Sequence, residues 1–194
     1  VGSIKISSNS LTDNNNYDYN FLGSLENFSY NTLYEKEEFP LVLEKFYGKI
    51  KFNNSELEIQ GSGHLNNSIS DIKLSLNKEN LLNVDIKAEA ISQSFDFLNE
   101  YNFLKSGTSK LEMNIIKDLN KSDWIAKVKS NLFANEVLLK FLNYNKPSNT
   151  RASFSGEFYF NNYELKKIKN ISFFTEDLLL SCEIFFSKNS EIKE

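Results

Sequence analysis

Val84-Asp85-Ile86-Lys87-Ala88-Glu89-Ala90 alternates apolar and charged residues almost without a break. Successive side chains of an extended chain point to opposite faces, so this stretch reads as a strand with one apolar and one solvated face. The pattern recurs on both sides of it. Leu57-Glu58-Ile59-Gln60-Gly61 precedes it, while Phe154-Ser155-Gly156-Glu157-Phe158-Tyr159-Phe160 and the run from Leu178 to Phe186 follow. Working outward, strands are expected at 21–30, 46–53, 55–63, 69–77, 82–91, 107–118, 123–132, 136–142, 151–160, 168–175 and 178–186. The links between them are short and polar: Asn53-Asn54, Asn66-Asn67, Asn77 to Asn80, Asn120 to Ser122, Asn161-Asn162 and Glu176-Asp177. Links of that length close hairpins, so neighbouring strands should run antiparallel and the chain should be an all-β meander.

One segment departs from period two. Between Gln93 and Leu104, Phe95, Leu98 and Tyr101, with Phe97 and Leu104, recur every three to four residues. That spacing predicts a short amphipathic helix over 93–104, either a plug over the end of the sheet or a gate over a channel. It also marks a weak internal break, near 92–106, within a single β domain spanning 21–188. The Asn- and Ser-rich residues 1–20 read as a loop or frayed leading strand, and 189–194 as a tail.

The 194 residues are 40% hydrophobic and 14% aromatic, with 17 Phe, which supports a real core. Seven Gly and two Pro leave the tight turns to Asn, Asp and Ser. A net charge of −4 gives no electrostatic reason to expect nucleic acid. The run Lys166-Lys167-Ile168-Lys169 reads as a solvated strand edge or turn. The single cysteine, Cys182, excludes an intrachain disulfide and any cysteine-based metal site; its apolar parity predicts a buried filler. No run of 18 apolar residues is present to form a spanning helix. The chain starts at Val1 with no signal peptide and reads as a piece of a longer protein.

Chemistry has little to work with. His64 is the only histidine, and the glycines before it in Gly61-Ser62-Gly63-His64 read as a bulge or strand end rather than a nucleophile elbow. The Asp13 to Asp18 neighbourhood lacks the glycine and closing glutamate of a calcium loop. Glu56, Glu58, Asp85, Glu89, Glu112, Glu157 and Glu183 all fall on the polar parity of their strands, as on a solvated face. No phosphate-binding glycine pattern occurs. The expectation is a protein that is not an enzyme and takes no cofactor or metal.

What remains is the other parity. Leu74, Leu76, Val84, Ile86, Leu111, Met113, Ile115, Ala126, Val128, Phe154, Phe158, Phe160, Leu178, Leu180 and Ile184 would point one way if the strands pair in simple order. Burying each large side chain is worth about 1.5–3 kcal/mol, so such a face needs a cover. The sheet either folds over as a flattened sandwich or barrel, or stays partly open and holds lipid acyl chains.

Several stretches resemble the AsmA/YhdP-like family of bacterial envelope proteins. Phe39-Pro40 followed by Phe46-Tyr47-Gly48-Lys49-Ile50-Lys51-Phe52 and Leu57-Glu58-Ile59 is similar to its recurring glycine-led strand unit, which Ile69 to Leu76 and Val84 to Ala90 continue. Asp96-Phe97-Leu98 and Ser106-Gly107-Thr108 resemble its break between meanders. Asn131-Leu132-Phe133-Ala134-Asn135-Glu136-Val137-Leu138-Leu139, leading into Leu142-Asn143-Tyr144-Asn145-Lys146-Pro147, resembles a further family segment. There Asn149 stands near the expected glycine and Tyr144 replaces a tryptophan. The similarity spans about 39–188. It implies a long sheet curled into an open, taco-like groove, periplasmic and anchored to the inner membrane by a segment absent from this chain. Its partners would be phospholipid acyl chains, and further repeats of the parent protein could flank it. The function implied is passive movement of phospholipid between inner and outer membranes along the apolar residues named above. The competing expectation is a closed β-sandwich structural or adhesion module acting through loops such as 11–20 or 143–150. An outer-membrane barrel would instead end on an aromatic residue, unlike Ser190-Glu191-Ile192-Lys193-Glu194.

Overall fold

The computed structural model describes residues 4–8, 19–31, 42–91, 104–162 and 164–186. Eleven antiparallel strands form one sheet that does not close into a barrel. In chain order they are β1 (Ile4–Ser8), β2 (Tyr19–Asn31), β3 (Val42–Asn53), β4 (Glu56–Leu65), β5 (Ser68–Asn77) and β6 (Leu81–Ile91). After β7 (Leu104–Ser106) come β8 (Thr108–Asp118) and β9 (Asp123–Asn131). Then follow β10 (Glu136–Leu139), β11 (Tyr144–Lys146), β12 (Ala152–Asn161), β13 (Glu164–Thr175) and β14 (Leu179–Phe185). The large sheet runs β1-β2-β3-β4-β5-β6-β8-β9-β12-β13-β14, and β11-β10-β7 make a second sheet of three strands.

The sheet is a meander because the turns close it strand by strand. Asn66 and Asn67 both take positive φ, 46° and 65°, the pair of left-handed residues that a two-residue hairpin with the native twist requires. Eight of the nine described non-glycine residues with positive φ are asparagines. Asparagine tolerates that conformation because its short amide bonds the local backbone. Register is set on the solvated face by opposite charges. Lys51 stands opposite Glu58, Lys73 opposite Asp85, Asp71 opposite Lys87, Lys87 opposite Glu112, and Glu89 opposite Lys110. Glu112 faces Lys129, and Lys127 faces Glu157 with an ion pair at 3.7 Å. A slip of one residue would exchange the faces and break every one of these pairs.

Central strands β4 to β9 pair without interruption. Bulges concentrate on the flanks: between Leu25 and Phe28 in β2, Glu44 and Tyr47 in β3, and Ile168 and Ile171 in β13. Asn27, Lys45 and Asn170, each left-handed, sit in them. Bulges bend a strand and add twist, so the flanking strands depart from the regular middle of this open, groove-like sheet.

The small sheet is seated on the apolar side. Val137 and Leu139 of β10 pack with Leu132, Ala152 and Phe173, and Leu104, Tyr144, Phe154, Leu178 and Leu180 border them. A buried polar chain pins it there. Ser109 Oγ donates to Asn135 Oδ1 at 2.8 Å, and Lys146 Nζ donates to the carbonyls of Asn135 at 2.7 Å and Pro147 at 2.9 Å. Gly107, at φ 100°, links β7 to β8; a Cβ there would stand 2.2 Å from the Ala134 carbonyl oxygen.

Several expectations change. The strand expected at 136–142 stops at Leu139, because Lys140–Leu142 form a 3₁₀ turn and left-handed Asn143 folds β11 back onto β10. Cys182 is exposed rather than buried, since β14 is an edge strand on an uncovered part of the face. Of the two readings of the leading segment, loop or frayed strand, Ile4–Ser8 take the strand, β1, paired with β2. The helix expected over 93–104 lies outside the described residues except for Leu104, which opens β7; the Asp13 to Asp18 loop and the tail 189–194 also lie outside.

Candidate functional site: one apolar face across ten strands

Residues paired across neighbouring strands share a face, so the registers trace rows across the sheet. One row runs Gly23, Ile50, Ile59, Leu74, Val84, Ile115, Ala126, Phe158, Ile168, Ile184. The next, Gly48, Gly61, Ile72, Ile86, Met113, Val128, Gly156, lies beside it. On its far side Gly63, Ser70, Ala88, Leu111, Ser130, Phe154, Phe173 and Leu180 form another. Along the opposite rim run Phe21, Phe52, Leu57, Leu76, Leu82, Lys117, Trp124, Phe160 and Leu165. The rows lie across the strands and therefore along the groove. With strands about 4.8 Å apart, the longest row, crossing ten strands from β2 to β14, extends about 43 Å.

Thirteen of the residues expected to bind lipid share this face: Leu74, Leu76, Val84, Ile86, Leu111, Met113, Ile115, Val128, Phe154, Phe158, Phe160, Leu180 and Ile184. Leu178 does not lie in a strand; it sits in the β13–β14 turn and borders the cluster under the small sheet. Ile86 and Leu111 are buried, 6% and 9% exposed, but most of the set is only half-buried. Phe154 and Leu180 border the small sheet; the others are flanked by neighbours within the large sheet with no opposing layer among the described residues, and half-burial of that kind is what an open sheet produces.

Depth varies along the rows. Towards the rim where β4–β5, β6–β8 and β12–β13 carry Ser68, Ser70, Ala88, Ala90, Ser109 and Ala152, side chains are small and buried. Near it Phe46 lays its ring over Gly48 and Gly61, where a Cβ would come within 2.7 and 2.8 Å of ring carbons, and a Cβ at Gly63 would stand 3.2 Å from the Phe46 Cβ. At the opposite rim Trp124 stacks on Phe160, centroids 3.9 Å apart. Lys117, paired with Leu82 and Trp124, brings a cation to the apolar side at that rim.

On the solvated face the titratable side chains lie in cross-strand pairs. His64 faces Glu44 and Ile69 across neighbouring strands. Glu157 accepts from the Tyr159 hydroxyl at 2.9 Å; that bond, with Lys127 nearby, holds its carboxyl below the usual range. No three metal-ligating side chains cluster among the described residues. A depression of about 700 Å³ between Lys110, Lys129, Arg151, Phe133 and Phe174 opens on this face, with Arg151 5.7 Å from the Phe174 ring centroid. It is lined largely by exposed side chains and gathers no reactive group.

Sequence reasoning missed how far the face extends into β2, β3 and β4. Ile50, Phe52, Leu57 and Ile59 alternate as clearly as Val84 and Ile86, so the signal was present in their spacing. Phe46 shares the parity of Gly48, Ile50 and Phe52, so its place on this face was legible too; Leu43 carried no such signal, since the bulge at Lys45 shifts it onto the side of its partner Leu65. The chain matches no family model, curated protein or solved structure.

Proposed function

We propose that this chain is a lipid-binding groove segment, without covalent chemistry, of an envelope protein that moves phospholipid between inner and outer membranes. Acyl chains lie along the rows, and headgroups stay at the rims in water. The observation that carries this reading is the continuity of the half-open apolar face through all but the outermost strand of the sheet. Large apolar side chains left half in water lose about 25 cal/mol for every Å² of apolar surface not buried, and a flexible hydrocarbon recovers that loss without needing a fixed shape. At about 43 Å the longest row exceeds the ~30 Å hydrocarbon core of a bilayer, room for a chain to shift along a track. The resemblance to the AsmA/YhdP-like family supports the same reading, including a periplasmic position and a membrane anchor in a segment outside this chain.

The test is native mass spectrometry with lipid extraction on protein purified from a lipid-containing host without detergent. Co-purifying phospholipid is expected. It should be lost when half-buried Val84 or Phe158 becomes Glu, and kept when Ile116, on the solvated face between them, becomes Glu. A lipid-free mass for the folded wild-type chain would favour a structural module and end the proposal.

A further inference from the structure

The outer edge of β14 is unpaired among the described residues, and its residues are arranged symmetrically about Cys182. Two backbone hydrogen bonds fix which groups face outward. The Phe186 N–H donates to the Lys166 carbonyl at 3.0 Å, and the Leu178 carbonyl accepts from the Thr175 N–H at 2.8 Å. Even-numbered residues therefore turn their backbone polar groups towards β13. By the alternation of an antiparallel strand, Leu179, Ser181, Glu183 and Phe185 turn theirs to the open edge. Leu179 and Phe185 are 69% and 47% exposed, Glu183 is the strand's one charge, and there is no Pro, Lys or bulge in β14 to blunt the edge.

From this self-complementary edge we infer that β14 pairs antiparallel with β14 of a second copy of the chain, on a two-fold axis through Cys182. That register sets Leu179 opposite Phe185, Leu180 opposite Ile184 and Ser181 opposite Glu183 of the other copy. The outward-facing groups of 179, 181, 183 and 185 meet each other, giving about eight ladder bonds. No like charges are opposed. Leu180 and Ile184 lie on the apolar face, and a two-fold axis normal to the sheet keeps both apolar faces on one side. The two grooves then join end to end. The two Cys182 residues meet at a non-hydrogen-bonded position, where Cα atoms are about 4.5 Å apart, within disulfide range. This inference rests on the edge geometry and does not depend on what fills the groove.

The experiment is sedimentation equilibrium on the purified chain, with mild oxidation of Cys182 as a register probe. A dimer that forms a Cys182–Cys182 disulfide, and persists non-covalently in Cys182→Ser, is expected. Ser181→Pro deletes an outward N–H while leaving the bonds to β13, so it should give a folded monomer by circular dichroism. Should that variant fail to fold, the exposed pair supplies the alternative. Leu179→Lys with Phe185→Lys opposes like charges and should dissociate the dimer; Leu179→Lys with Phe185→Glu should retain it. A wild-type monomer at tens of micromolar would overturn the inference. So would a dimer indifferent to these substitutions, or open-ended growth, which means β14 on β1 in head-to-tail order.

Discussion

Two glycines on one row of the groove should respond oppositely to the same added methyl group. At Gly61 a Cβ would stand 2.2 Å from the Tyr47 carbonyl oxygen, 2.5 Å from Gly48 Cα and 2.8 Å from the Phe46 ring. The first two are backbone atoms of the paired strand, so relief requires β3 and β4 to separate. Overpacking of this kind costs about 1–3 kcal/mol. At Gly156 the nearest atoms are side-chain carbons of Phe158, Ile168 and Phe154 at 3.4–3.6 Å, ordinary contact distances, and no positive φ is required. Alanine there adds contacts and restricts the unfolded chain, a gain of about 0.4–1 kcal/mol. In a domain of this size 1 kcal/mol moves the melting temperature by about 2–4 °C. Gly61→Ala should therefore melt about 2–12 °C lower than wild type, and Gly156→Ala about 1–4 °C higher. Differential scanning calorimetry on both variants reads this directly. Equal shifts, or an unchanged Gly61→Ala, would refute the close β3–β4 approach beneath Phe46.

Lys146 is 1% exposed and holds buried carbonyls, so Lys146→Met should leave acceptors unsatisfied and cost about 1–3 kcal/mol in urea unfolding. Burial also holds the Lys146 pKa below its ordinary 10.5. Between that lowered value and 10.5 the unfolded chain binds more protons than the folded one, so this group makes stability rise with pH there. The difference in urea stability between wild type and Lys146→Met should carry that rise; a difference flat with pH would refute the burial penalty. Tyr144→Phe removes a hydroxyl bonded to Asp177 at 2.7 Å and lying 2.8 Å from the Thr175 hydroxyl. It should cost about 1 kcal/mol and let the Asp177 pKa, now held down by Tyr144 and Thr175, move up when followed by NMR titration.

The long strands were readable because each has one face in water, and alternation is the direct imprint of that asymmetry. Val84 to Ala90 and Phe154 to Phe160 carry it without interruption. The bulged flanks blurred it: Lys45, Asn27 and Asn170 each insert a residue, so Leu43, paired with inward Leu65, falls on the apolar face against the parity of Phe46, Ile50 and Phe52. Short β7 and β11 span three residues each, too few to show a period. Their position follows from Asn135 and Lys146, polar residues whose burial no pattern announces. Cys182 and Leu178 were read by parity alone, which says which way a side chain points but not whether another layer lies above it. The abundance of asparagine looked compositional; in the structure it supplies left-handed turns, Asn149 at φ 62° among them.

Whether hydrocarbon occupies the rows can be read at residue level by photo-crosslinking. The chain would be incubated with vesicles containing a phosphatidylethanolamine that carries a diazirine in its acyl chain, irradiated, and mapped by peptide mass spectrometry. Adducts should concentrate on the inward residues of β5, β6, β8, β9 and β12, such as Leu74, Val84, Met113, Val128 and Phe158, and spare Asp85, Asn114 and Lys127 between them. Adducts spread evenly over both faces, or absent from a folded chain, would contradict a groove that holds acyl chains.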